Sequence, residues 1–131
     1  MMPNKVNLNI SSLRHTWFID LDGTLFIHNK YKEIKKDVLC NPNVVKFFTN
    51  IPEKDYIVFT TSRSKNYSKL CEDSVKKLLQ LKQEYTIIYD LPHGERFLIN
   101  DKKPSGLNTA VAISTERDLF PCINIKIDES I

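Results

Sequence analysis

Apolar residues in this chain gather into short, β-rich runs separated by polar stretches. Five stand out: Thr16–Asp20 and residues 56–61, 85–90, 96–100 and 108–113. The first, second and fourth read as almost unbroken Val, Ile, Leu and Phe, the pattern of strands buried on both faces of a parallel sheet. Between the first two, Asn41 and Pro42 supply a cap and a first-turn proline. Val44, Val45, Phe47 and Phe48 then give an apolar face, predicting a short helix that ends near Ile51 and Pro52. From Ser64 onward, Tyr67, Leu70, Cys71, Val75, Leu78 and Leu79 share one helical face, with Lys69, Glu72, Lys76 and Lys77 elsewhere. Strand, helix, strand, helix, strand is the order of a doubly wound α/β sheet.

One join resists that order. Only Leu91 to Glu95 separate the third and fourth runs, whereas a parallel crossover needs a dozen or more residues. Either the third strand is a short edge strand, or the two runs pair as a hairpin. Residues 24–40, rich in Lys and Asn, read as a flap between the first strand and the first helix, too small for a separate cap domain. The Lys30–Lys32 and Lys35–Lys36 clusters are expected to be its solvated surface. The chain thus reads as one domain, 1–131, with residues 114–131 as a C-terminal extension. The alternating Ile123, Ile125 and Ile127 there suggest an extra edge strand or a contact with another subunit.

Composition narrows the classes. The 131 residues suffice for one domain, and 41% hydrophobic with 27% charged residues is ordinary for a globular chain. A net charge of +3 suits an anionic substrate but falls short of a dedicated nucleic-acid binder. No apolar run is long enough to span a membrane, and Met1 to Ile10 lacks a leader's apolar core. The three cysteines, Cys40, Cys71 and Cys122, are an odd number without Cys-x-x-Cys spacing, as expected of reduced thiols in a cytoplasmic protein.

The chemistry concentrates in Trp17-Phe18-Ile19-Asp20-Leu21-Asp22-Gly23-Thr24. An apolar strand ends in two carboxylates two positions apart, which extended backbone turns to one side. Gly23 permits a sharp turn at the strand's carboxyl end, where open α/β sheets place their ligands. Two crowded carboxylates repel unless a divalent cation or a shared proton intervenes. Further on, Thr60, Thr61, Ser62 and Arg63 close the second run just before a helix that Ser64 opens. Hydroxyls and free N–H groups there form a phosphate cradle, and equally an ordinary capping cluster.

The octet resembles the first motif of the haloacid dehalogenase superfamily of phosphohydrolases. Thr61, with Thr60 as alternative, is similar to the second-motif hydroxyl. Phe97-Leu98-Ile99-Asn100-Asp101 is similar to the acidic fourth motif, with Asn100 where many members carry Asp. For the basic third motif, Lys102, Lys103 and Arg63 are the candidates; Arg96 is expected at the amino end of its strand, away from the site. The resemblance covers roughly residues 16–113, and residues 91–104 resemble small, capless members linked to surface-polysaccharide or sugar-phosphate metabolism. It implies a Rossmann-like, mainly parallel five-stranded sheet with flanking helices and no cap domain, in which the strands bearing the first and fourth motifs are neighbours.

It further implies Mg²⁺-dependent hydrolysis of a small phosphomonoester through an aspartyl-phosphate. Asp20 would be the nucleophile, Asp22 the general acid and base, and Thr61 a phosphoryl-binding hydroxyl. Gly23, Thr24, Ser62, Arg63, Lys102 and Lys103 are the positions expected to meet the substrate. The ion would be held by Asp20, the Asp22 carbonyl and Asp101, or Asn100 through its amide oxygen. With only a flap available, the substrate is large or a neighbouring copy in a homo-oligomer covers the site. Tyr31 is a candidate to contact substrate, and Phe26 is expected to pack the flap down. Two other readings share these residues: a phosphatase for nucleic-acid ends, and a binding protein of the same fold without turnover.

Overall fold

The structure, a computed structural model, describes residues 4–28 and 36–131. Tyr31 and the lysines at 30, 32 and 35 lie outside the described residues. Five strands and two α-helices are found among them: β1 (Lys5–Ile10), β2 (Thr16–Asp20), α1 (Asn43–Asn50), β3 (Tyr56–Thr60), α2 (Ser68–Leu78), β4 (Glu84–Ile88) and β5 (Cys122–Ile127). The fold is mixed α/β with parallel strands in two sheets. β2, β3 and β4 form one sheet in that order, and β1 pairs with β5 in another.

Local chemistry accounts for each helix. Asn41 Oδ1 accepts from Asn43 N (3.0 Å), so the Asn-Pro pair starts α1 as its residues suggest. The other end of α1 is held by Gln83, whose buried amide donates to the carbonyls of Phe48 and Ile51 (both 3.2 Å). Ser64 Oγ accepts from Asn66 N, opening a 3₁₀ turn, Lys65–Tyr67, that leads into α2. Both helices lend their apolar faces to one core. Val44, Phe47 and Phe48 of α1 and Cys71 and Val75 of α2 meet Ile19, Ile57 and Phe59 of the sheet, with Trp17, Tyr85 and Ile87 partly buried beside them. Phe47 stacks edge-on to Trp17 and to Phe120 (ring centroids 5.3 and 5.5 Å).

Two expectations need correction. Residues 96–100 and 108–113 are not strands; they lie in an irregular excursion between Leu91 and Glu116, and the five strands divide three and two. The short join explains this, because five residues do not make a parallel crossover. β4 is accordingly the edge of its sheet. The fifth strand comes from the C-terminal extension, pairing with a β1 whose Val6, Leu8 and Ile10 alternate with polar residues. No helix among the described residues is long and apolar enough to cross a membrane.

A buried carboxylate aligns β2 with β3. Asp55, fully buried, accepts from His15 N (3.0 Å), His15 Nδ1 (2.9 Å) and Trp17 Nε1 (2.9 Å). Asp55→Ala leaves these donors unpaired around a void and is expected to cost about 3 kcal/mol, read as a lowered urea midpoint at unchanged slope.

Candidate active site

β2 ends at Asp20, and the chain then turns tightly. The carbonyl of Leu21 accepts from Leu25 and Phe26 N (both 3.0 Å), and Gly23 N donates to Phe26 O (2.7 Å). Gly23 sits at φ +81°, the left-handed region, with the Arg117 side chain against it, so glycine is what the turn requires. Its carbonyl accepts from Asp118 N (2.7 Å), and Asp118 Oδ1 from His28 N (2.6 Å), which binds residues 117–118 to the turn.

Asp20 is half-buried, and its Oδ2 accepts from Thr24 Oγ1 (3.1 Å). Burial raises its carboxyl above the usual range and the charge of Asp22 adds to the rise. The Thr24 hydrogen bond and the positive charge of Arg96 oppose it. The charge of Asp22 thus acts on Asp20. Arg96 is exposed, and its guanidinium donates to the carbonyls of Pro92 and Gly94.

Asp22 has a partner that the spacing alone did not reveal. Arg63 donates from Nε to Asp22 Oδ2 (3.0 Å) and from Nη2 to Asp22 Oδ1 (2.7 Å). The same guanidinium donates from Nη1 and Nη2 to the two oxygens of Asp37 (3.1 and 2.6 Å). Arg63 is 0% exposed, and Asp37, also buried, takes a further bond from Ser74 Oγ of α2 (2.5 Å). Burial alone would lower the proton affinity of Arg63, but the two carboxylates hold it above its ordinary value. Asp37 and Ser74 were not among the expected site residues. Asp37 follows a lysine-rich stretch that reads as solvated, and its one signal is an acid ending a basic run.

The remaining expected residues divide into two groups. Thr61 is fully buried; its Oγ1 accepts from Arg63 N (3.0 Å), and its backbone joins the end of β4 through Ile88 O and Leu91 N. Ser62 is half-buried beside it. The base of the flap is ordered by a Phe26–Leu39 bridge, and Phe26 is buried beneath Arg63, as expected of a packing residue. By contrast Asn100, Asp101, Lys102 and Lys103 are exposed on the excursion. There Asn100 Nδ2 and the Asp101 carbonyl both bond Thr109, and Lys103 N bonds Leu107 O around the turn at Pro104–Ser105. Among the described residues no three His, Cys, Asp or Glu side chains gather into a metal site. The Cys40 thiol is pushed up to about 11 by burial and Asp118, so thiolate chemistry is not what it offers.

Compared with known proteins, the chain matches no family model, no curated protein and no solved structure.

Arg63→Met strands two carboxylates in a site built around a cation, and is expected to cost about 3–5 kcal/mol. Arg63→Lys keeps the charge but loses the double fork and is expected to recover only part of that loss. Urea unfolding of the two variants checks the order.

Proposed function

We propose that this chain is a Mg²⁺-dependent phosphomonoesterase for a small phosphorylated metabolite, on a Rossmann-like frame of the haloacid dehalogenase type. The observation that carries this reading is Asp20. It is a half-buried carboxyl at the carboxyl end of a parallel strand, next to a second acid and within the field of a cation. Burial strips water from the carboxylate, and a poorly solvated oxygen is a better nucleophile towards phosphorus. Thr24 fixes the orientation of its side chain.

Asp22 is the proton carrier. Both its oxygens accept from Arg63, which fixes the carboxylate's orientation towards the water that cleaves the acyl-phosphate. To protonate a leaving alkoxide, it must first release one of those bonds and carry a proton. Arg63 is committed to two carboxylates, which leaves Lys102 and Lys103, directly after Asp101, as the basic groups to face the phosphoryl oxygens.

The donors suit a hard cation in kind. Asp20 and the carbonyl of Asp22 would hold Mg²⁺ from one side, and Asp101 is the remaining carboxylate the sequence offers. Bound there, the ion would screen the charges that must meet at phosphorus.

A chromogenic phosphomonoester tests the reading. Turnover is expected with Mg²⁺ and not with EDTA, and Asp20→Asn is expected to abolish it. Asp22→Asn is expected to slow it about 100-fold or more. Equal inactivity of wild type and Asp20→Asn across a broad panel of phosphorylated metabolites would favour a binding protein.

Asp20 also predicts a pH dependence of stability. Its carboxyl is raised in the folded state, so the native form binds the proton more tightly than the unfolded chain. Stability contributed by this group is therefore present at low pH and falls as pH rises from the ordinary carboxyl range through the raised value. Asp20→Asn is expected to have a higher Tm than wild type at pH 7, with the gap closing as pH drops.

A further inference from the structure

The sheet β2–β3–β4 is parallel, yet among the described residues its two faces are covered unequally. Trp17, Ile19, Ile57, Phe59, Tyr85 and Ile87 meet the helices. The opposite face carries Phe18, Val58 and Thr86 in register, and beside them Ile88. Phe18 is 58% exposed and Ile88 is also exposed, while Val58 is buried outside the main core. β2 pairs with β3 on one side, and among the described residues no strand takes its other edge. Parallel sheets are ordinarily covered on both faces, and an open edge is a template for another strand.

The same chain carries the complementary piece. The excursion from Leu91 to Glu116 runs out, turns at Pro104–Ser105 and returns. Its legs present Phe97 (85% exposed), Leu98, Ile99 (96%), Val111 and Ile113 to solvent. These legs are the β-rich runs 96–100 and 108–113, left without a ladder.

Geometry keeps the arm from filling its own gap in the useful direction. Leu91 N is bonded to Thr61 O, at the carboxyl end of β3. From Leu91 to Arg96 the chain reaches at most about 18 Å fully extended. A parallel neighbour of β2 must begin at the other end of the sheet, about 17 Å along the strands and about 10 Å across them, so about 20 Å even in a straight line through the protein. An antiparallel approach is within reach, but it delivers Asp101 to the end of the sheet opposite Asp20.

We propose that the bare edge and face at β2 are the docking site for the 91–115 arm of a second copy of this chain. Two copies exchange arms about a two-fold axis, and Phe97–Leu98–Ile99 lies parallel to β2 beside Phe18. A connection too short to reach the parallel seat within one chain is the circumstance that drives such exchange. A parallel seat also brings Asn100 and Asp101 to the end of β2 where Asp20 and Asp22 stand, supplying the carboxylate that the single copy does not gather. The parallel direction and this last step rest on the phosphatase reading; the exposed edge, face and arm do not.

Three measurements test it on the full chain. Light scattering is expected to give twice 15.3 kDa for the native protein. The double variant Phe97→Asp/Ile99→Asp is expected to give a monomer with native circular dichroism. A monomeric native chain, or a dimer that survives the double variant, overturns the proposal. Phe18→Cys and Ile99→Cys chains, co-expressed with Cys40→Ser and Cys122→Ser, are expected to become disulfide-linked to each other. The two cysteines in one chain are expected to give a covalent dimer; an intramolecular bridge or no linkage overturns it. Co-expressing Asp20→Asn with Asp101→Asn chains is expected to restore about a quarter of wild-type phosphatase activity, since half the dimers regain one of two sites. No recovery between two inactive variants refutes the shared site. An inactive wild type refutes the phosphatase reading and leaves the mass and linkage results to decide the docking.

Discussion

The Arg63 guanidinium, enclosed between Asp22 and Asp37, is the interaction on which the site end of this protein depends. It joins the turn after β2, the base of the flap, the end of β3 and, through Ser74, α2. A buried cation with one carboxylate would be barely compensated for its lost hydration; with two it is held firmly, and the group keeps one negative charge in excess. That excess lies in the neighbourhood of Asp20, whose own carboxyl is already raised by burial. The fold thus gathers like charge at one rim of the sheet, an arrangement that function can exploit and that stability alone would not select.

Much of this frame was legible in the residues, and the failures have physical causes. The strands around Ile19, Ile57 and Ile87, and both helices, follow from hydrophobic periodicity and capping, because the burial that fixes them is local to each element. The alternation at Val6, Leu8 and Ile10 was present but sits among Asn and Lys, and its partner Cys122–Ile127 is at the far end of the chain. Residues 96–100 look like a buried strand because Phe97, Leu98 and Ile99 are apolar. Pattern alone says that such a run wants burial, not which chain supplies it. At the site, the carboxylate pair could be read from spacing, whereas the Asp37–Arg63–Asp22 bridge could not, since nothing in the order of residues joins positions 22, 37 and 63.

Covering and chemistry are then one problem. This chain spends an excursion of some two dozen residues on a segment that gains nothing from water. An exposed Ile99 and an exposed Phe18 are each tolerable singly. Together, Phe18 on the less covered side of the sheet and Ile99 on the excursion leave two apolar surfaces exposed among the described residues.

The pairing of β1 with β5 has a kinetic side. Asn7 and Asn124 are bonded across 117 positions of sequence, and Asn9 reaches Asp128. The first strand therefore stays without its ladder until the final strand has been synthesised, and closing so long a loop must be paid for in entropy before any native contact rewards it. Until then Val6, Leu8 and Ile10 remain available to any passing edge.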